Sequence, residues 1–238
     1  MKRYRFAVAC VFLPFGSAVA SETNGDLSLG FVHAQGNSNT TTLNAKTNLD
    51  YRAAPWEDLF TASALRGDQS HVTTDEKYSL GNKLTYSFTE VDYTFWSSNY
   101  DEDRFGGIVR RYSSALGYGR RLIKTDTQLL ELEAGLGFNH THKQGEPDPE
   151  DNGMLTFGGK YVWKISDTTQ FTQTLRTEIA NNNTYVDPIT ELKLTVIGML
   201  FATLNYEVRY NSQVPAGTVH TDQITTVNLG YTFGKKPL

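Results

Sequence analysis

The five histidines of this 238-residue chain, His33, His71, His140, His142 and His220, are its natural acid/base and metal-binding candidates. His140-Thr141-His142 would set two imidazoles on one face of a strand, a spacing that can chelate zinc or copper, but two ligands alone make a weak site. Asp148-Pro149-Glu150-Asp151 follows closely, without the ordered spacing of an oxygen-ligand calcium loop. A hydrolytic triad would need a nucleophile within reach of its histidine base. No serine lies two residues from His140 or His142, the distance that would put both on one strand face. Asp101-Glu102-Asp103-Arg104 supplies carboxylates, yet sugar hydrolysis needs two of them facing one bond across about 5–9.5 Å. Adjacent acids in a loop lack that geometry. Arg104 is expected to pair with Asp101 or Asp103, and Phe105-Gly106-Gly107 to fold the loop back in a structural or lumen-plugging role. These residues therefore predict solvated loop histidines, no metal, no cofactor and no enzyme activity.

The elements that would carry these residues alternate. Between Gln128 and Asn139, Leu130, Leu132, Ala134, Leu136 and Phe138 share one face of a strand, and Glu131 and Glu133 the other. A transmembrane barrel has this pattern, showing apolar residues to lipid and polar ones to its lumen. Alternation gives about twelve strand-like segments, at 25–34, 39–52, 56–68, 75–88, 91–101, 109–120, 127–139, 153–165, 169–181, 189–198, 200–213 and 220–233. A tilted strand needs roughly 9–11 residues to cross the apolar band, so most of these are long enough. One set of faces carries Leu27, Leu29 and Phe31, then Leu43, Ala45 and Leu49, and finally Val227, Leu229, Tyr231 and Phe233. The opposite set lines the expected lumen with Lys46, Asp50 and Lys83. Lys160, Arg176 and Glu178 continue it, followed by Glu207 and Arg209. Arg111 and the pair Glu131 and Glu133 lie on strands expected to be neighbours, where they would form a constriction or tie the wall together. Buried charges need partners, so a hydrated lattice of ion pairs is expected inside.

Short links at 53–55, 89–90, 122–126, 166–168 and 198–199 alternate with longer polar links, as in an up-and-down outer-membrane barrel. The weakest alternation is at Thr195 to Leu204, read as a strand end, a turn at Gly198-Met199 and a new strand. Tyr51, Trp56 and Phe60, then Phe88, Tyr93 and Phe95, then Trp163 and Phe171, flank short turns and are expected to form an aromatic girdle at the headgroups. The last strand ends in Tyr231 and Phe233, resembling the aromatic-terminated signal read by the barrel-assembly machinery during insertion, with Gly234 to Leu238 following it.

The ends and the composition bound the rest. Lys2, Arg3 and Arg5, an apolar core over Phe6 to Phe15, and Ala18-Val19-Ala20 read as an export signal over residues 1–20, leaving a barrel domain over 21–238. The core is too short to span a bilayer. Cys10, the only cysteine, would leave with the signal, so the mature chain has no disulfide. It is followed by too much apolar sequence for a lipoprotein site. The formal net charge of −4 becomes more negative on cleavage and argues against nucleic acid as a partner. Mean hydropathy is −0.42, and no mature stretch is apolar enough for a spanning helix.

Several local patterns, in order, resemble the family of salt-induced outer-membrane proteins, a bacterial group known as domain of unknown function 481. They are Gly36-Asn37-Ser38-Asn39-Thr40, Asp103-Arg104-Phe105-Gly106 with Arg110 and Arg111, Gly117-Tyr118-Gly119, and Glu133-Ala134-Gly135-Leu136-Gly137. The resemblance implies an outer-membrane barrel and supplies no activity or catalytic residues. The sequence thus predicts an all-β, antiparallel up-and-down transmembrane β-barrel of about twelve strands. It would be monomeric, surrounded by outer-membrane lipid, non-enzymatic, with a structural or stress-responsive role or a narrow pore for small polar solutes. Two other readings stay open: a lipid hydrolase or deacylase using His140 or His142, and a soluble periplasmic barrel holding an apolar ligand. The second requires apolar residues inside and charges outside.

Overall fold

The computed structural model describes residues 21–35, 40–69 and 72–234. The export signal, the Gly36 to Asn39 turn, His71 and the tail after Gly234 lie outside these, as does the side chain of His33. The described residues form twelve strands: β1 (Glu22–Gln35), β2 (Thr40–Ala53), β3 (Trp56–Gln69), β4 (Val72–Ser87), β5 (Asp92–Asp103), β6 (Ile108–Lys124), β7 (Gln128–Lys143), β8 (Glu150–Lys164), β9 (Thr169–Ala180), β10 (Thr184–Ile197), β11 (Leu200–Asn211) and β12 (Thr221–Gly234). Each pairs antiparallel with the next, and β1 pairs with β12 to close the ring. Closure gives every strand two hydrogen-bonded neighbours, the one sheet arrangement that leaves no backbone edge to lipid.

The rows of side chains face as the alternation predicts. Leu132, Leu136 and Phe138 project outward, with Leu136 68% exposed. Glu131 and Glu133, between them, keep only 13% and 15% of their side-chain surface. Leu27, Leu29, Leu43, Leu49, Val227 and Leu229 continue the apolar exterior. An apolar outside around a charged inside is the pattern of a transmembrane barrel and the reverse of a soluble ligand carrier.

The connections define two ends. Tight turns at 54–55, 88–91, 125–127, 165–168 and 198–199 mark one, the turn end, where the first and last strands also finish. The other, the loop end, carries the longer links. Gly198 adopts φ +56, the left-handed geometry that lets β10 reverse directly into β11. The predicted turn at Gly198-Met199 is therefore present, with a bulge between Thr195 and Ile197 accounting for the lost alternation.

Three expectations need correction. β10 begins at Thr184, not near 189, because Pro188 sits within it opposite Leu175 of β9. The β11 ladder is interrupted beside it, where proline has no N–H to give. β7 and β8 extend to Lys143 and from Glu150, so His140 and His142 lie on a strand rather than in a loop. Tyr93 and Phe95 are not girdle residues: they are 1% and 4% exposed and point into the lumen. The outward rings beside the turn end do gather, with Trp56 edge-on to Tyr86 at 4.9 Å and Phe88 stacked on Tyr118 at 6.3 Å.

Candidate functional site: a charged lumen

Inward aromatics and inward glycines meet across neighbouring strands. Tyr93 stands directly opposite Gly119, Phe95 opposite Gly117, and Phe201 opposite Gly230. A Cβ at any of these glycines would collide with the facing ring, so each ring lies flat over a bare stretch of wall. Gly119→Ala is accordingly expected to cost about 1–3 kcal/mol through overpacking. A urea titration of the refolded barrel should show that loss shrinking when Tyr93 is also changed to Ala.

Towards the turn end, charges are paired nearly one to one. Arg52 Nη2 reaches Asp50 at 2.7 Å and Glu57 at 3.1 Å. Arg121 Nε meets Glu131 at 3.1 Å, and its Nη1 donates to Ser87 Oγ at 3.1 Å. Lys83 is ion-paired with Glu133, which also accepts a hydrogen bond from the Tyr93 hydroxyl at 2.7 Å. Lys193 reaches Asp26 at 2.7 Å, and Lys46 lies 3.6 Å from Glu191. Several of these contacts leave the wall: Lys46 and Glu191 are on β2 and β10, and Lys83 and Glu133 on β4 and β7, none of them neighbouring strands. Lys160, across β7–β8 from Glu131, is within electrostatic reach of Asp50. The lumen rings also hold cations: Arg121 lies 4.6 Å over Tyr93 and Lys193 4.0 Å over Phe201.

A second layer crosses the lumen near the loop end. Arg176 Nη2 on β9 donates to Asp101 of β5 at 3.2 Å and to the Tyr185 hydroxyl at 3.1 Å. That hydroxyl donates in turn to Asp187 Oδ2 at 3.0 Å. Arg111 Nη2 on β6 donates to Asn211 of β11 at 2.7 Å. The Tyr185 ring is clamped between two guanidiniums, Arg111 at 4.2 Å and Arg176 at 4.9 Å from its centre. Glu178 accepts from Ser113 Oγ at 2.9 Å, and Arg209 pairs with Glu207. Lys77 lies 3.0 Å from Asp103 and 3.9 Å from Asp75. A recess of ≈ 60 Å³, room for a few water molecules, opens above this layer among Asp103, Arg111, Tyr185 and Arg209. Apolar contact also enters the lumen, where Leu65 of β3 packs on buried Ile224 of β12.

The wall on either side of the β1–β12 junction is different. Ser28, Thr203, Asn205, Thr226 and Asn228 are buried and uncharged. The Asn228 amide donates to Thr203 Oγ1 at 3.1 Å and Thr226 Oγ1 at 3.3 Å. Asp26, close to the turn end, is the charge on this part of β1.

The structure separates some residues that the sequence placed together. Arg111 and the Glu131/Glu133 pair are on adjacent strands, but Arg111 stands opposite Thr141 at the loop end. The arginine that meets Glu131 is Arg121, ten residues further along β6. Arg104 pairs with Glu102 at 3.0 Å and Glu76 at 2.7 Å, not with Asp101 or Asp103. Its hydrogen bonds to Glu102 and then Glu76 raise the guanidinium pKa above its ordinary value. Tyr185, Asp187, Asp75 and the inward rings were not anticipated. The one available signal was Gly117-Tyr118-Gly119, whose two glycines share the lumen face.

His140 Nδ1 lies 2.6 Å from Asp151 Oδ1 on the outward side of the wall. His220 Nδ1 meets the Asn211 carbonyl at 2.8 Å. The first arrangement orients an imidazole, but Asp151 is 80% exposed, and the recess at the loop end is lined by neither His140 nor His142.

Comparisons with known proteins agree with this architecture. A family profile described as a protein of unknown function, DUF481, matches residues 27–233. The chain is 27% identical over 215 residues to the uncharacterized protein YdiY of Escherichia coli strain K12, covering 88% of this chain and 82% of that one. Among solved structures, a NanC porin is 8% identical and superposes with a TM-score of 0.58 over 86% of this chain and 98% of its own. A KdgM porin is 10% identical, with a TM-score of 0.51 over 87% and 99%. At such identities the likeness to the porins is one of fold.

Proposed function

From the premise that the chain belongs to the family of proteins of unknown function DUF481, we propose that it is a non-enzymatic bacterial outer-membrane barrel whose lumen is a narrow passage for small polar solutes. In this reading it is a monomer in outer-membrane lipid, inserted by the barrel-assembly machinery after its export signal is removed. The observation that carries the proposal is the concentration of charge across the middle of the lumen, where ion pairs such as Lys46–Glu191 reach between strands that are not neighbours, while outward charges such as Asp92, Arg104 and Asp151 stay at the two rims. A purely structural barrel of this size could fill its interior with apolar side chains at less desolvation cost. A charged interior keeps water in place and gives ions somewhere to go. A stress-responsive envelope role belongs to the same reading.

Side chains cross the lumen at two levels, so conductance should be small. Single-channel recording of the purified protein in planar bilayers is expected to show low, discrete steps in KCl. A flat trace at every voltage would sink the pore.

A further inference from the structure

We infer that the loop-end layer makes this passage cation-selective, so that small monovalent cations are the solutes it favours. The inference rests on the pore reading above and adds the sign of the permeant charge.

The two layers differ in balance. Towards the turn end most carboxylates have a cation of their own: Asp26 has Lys193, Glu191 has Lys46, Glu133 has Lys83 and Glu131 has Arg121. Asp50 and Glu57 share Arg52, and Lys160 adds a further positive charge facing Asp50. At the loop end carboxylates outnumber cations. Arg176 is the cation in salt-bridge range of three carboxylates, Asp101 at 3.2 Å, Asp187 at 3.6 Å and Glu178 at 3.9 Å, with Arg209 acting on the first two from farther off. Lys77 serves two, Asp75 and Asp103. Arg209 is matched by Glu207. Arg111, with its Nη2 turned to Asn211, still adds its charge, so among the described residues four cations stand against six carboxylates in this layer.

Two buried oxygens sharpen the point. Glu178 is 3% and Asp187 7% exposed. Glu178 Oε2 and Asp187 Oδ1 have no hydrogen-bond partner among the described residues. Each carboxylate thus holds one oxygen in a protein bond and keeps the other uncommitted. In a narrow passage with low-dielectric walls such a surplus is focused rather than screened, and it raises the local cation concentration while repelling anions. The guanidiniums stay in the layer as struts, fixed by carboxylates and the Tyr185 ring.

Zero-current potentials across a tenfold KCl gradient test this on the full mature protein. The wild type is expected to favour K⁺ over Cl⁻ by about threefold or more. Glu178→Gln keeps the shape of the side chain, and Asp103→Asn leaves Lys77 its Asp75 contact. Each should move the ratio toward unity, with barrel folding checked by heat-modifiable migration on gels. Lanthanum added on the loop side should block at lower concentration than on the turn side. Current that is unselective or favours Cl⁻, or a ratio unmoved in both folded variants, overturns the inference and leaves the pore standing. The absence of any current overturns the pore reading and this inference with it.

Discussion

Arg176→Ala is expected to lower the stability of the barrel by about 3–5 kcal/mol, the usual cost of stripping one partner from a buried charge cluster. The side chain is 26% exposed and stands at the centre of the loop-end layer. It hydrogen-bonds Asp101 and the Tyr185 hydroxyl, and it packs on the Tyr185 ring. Without it, Asp101, Glu178 and Asp187 face one another with Ser79, Ser113 and the tyrosine as their remaining donors. Lysine in its place should recover part of the loss, since it restores charge without the planar fork that reaches a carboxylate and a phenol together. Urea unfolding followed by tryptophan fluorescence in lipid vesicles measures the difference. A loss below about 1 kcal/mol would mean that water fills this layer and screens the three acids as bulk solvent does.

The second large effect concerns the opposite face of the wall. Leu229 is 69% exposed on β12, paired across the β1–β12 junction with Leu29, which is 65% exposed. Leu229→Arg should cost about 2–4 kcal/mol if this row lies at the middle of the bilayer. The same change on a water-soluble barrel would be neutral or would improve solubility. The sign therefore separates the two environments more directly than any inspection of the lumen. Vesicle-reconstituted unfolding is the measurement, and a cost near zero would remove the membrane from the account.

Much of the architecture was legible because the side-chain period of a strand is two, and few soluble proteins could hide Glu131 and Glu133 between Leu130, Leu132 and Ala134. The number of strands and the facing of these rows follow from that periodicity, whereas the reversal at Gly198 falls where a bulge breaks it. The misread segments share a cause. Between Asp92 and Trp96 both faces carry rings, so alternation could not say that Tyr93 and Phe95 turn inward while Trp96 faces out. Pro188 reads as a loop because proline ends most central strands, yet here the β11 ladder simply lapses beside it. The pairings within the lumen were out of reach for a different reason. Register along one strand says nothing about which strands a closed ring brings face to face, so Lys46 with Glu191 and Arg111 with Asn211 depend on curvature rather than pattern. Arg104 is a local example: its partner Glu76 belongs to β4, and no spacing within the Asp101 to Arg104 run encodes it.

The uncharged wall beside the β1–β12 junction bears on the order in which the ring is completed. That junction joins the two strands farthest apart in the chain, and contacts of such long separation are the slowest to form. Amides and hydroxyls such as Asn228, Thr226 and Ser28 can be zipped together without first stripping water from ions. Asp26 is the exception, and its partner Lys193 sits on β10, beyond β12 and β11. The bond between them can be fastened only after the last strand has docked, so it acts as a clasp on a finished cylinder.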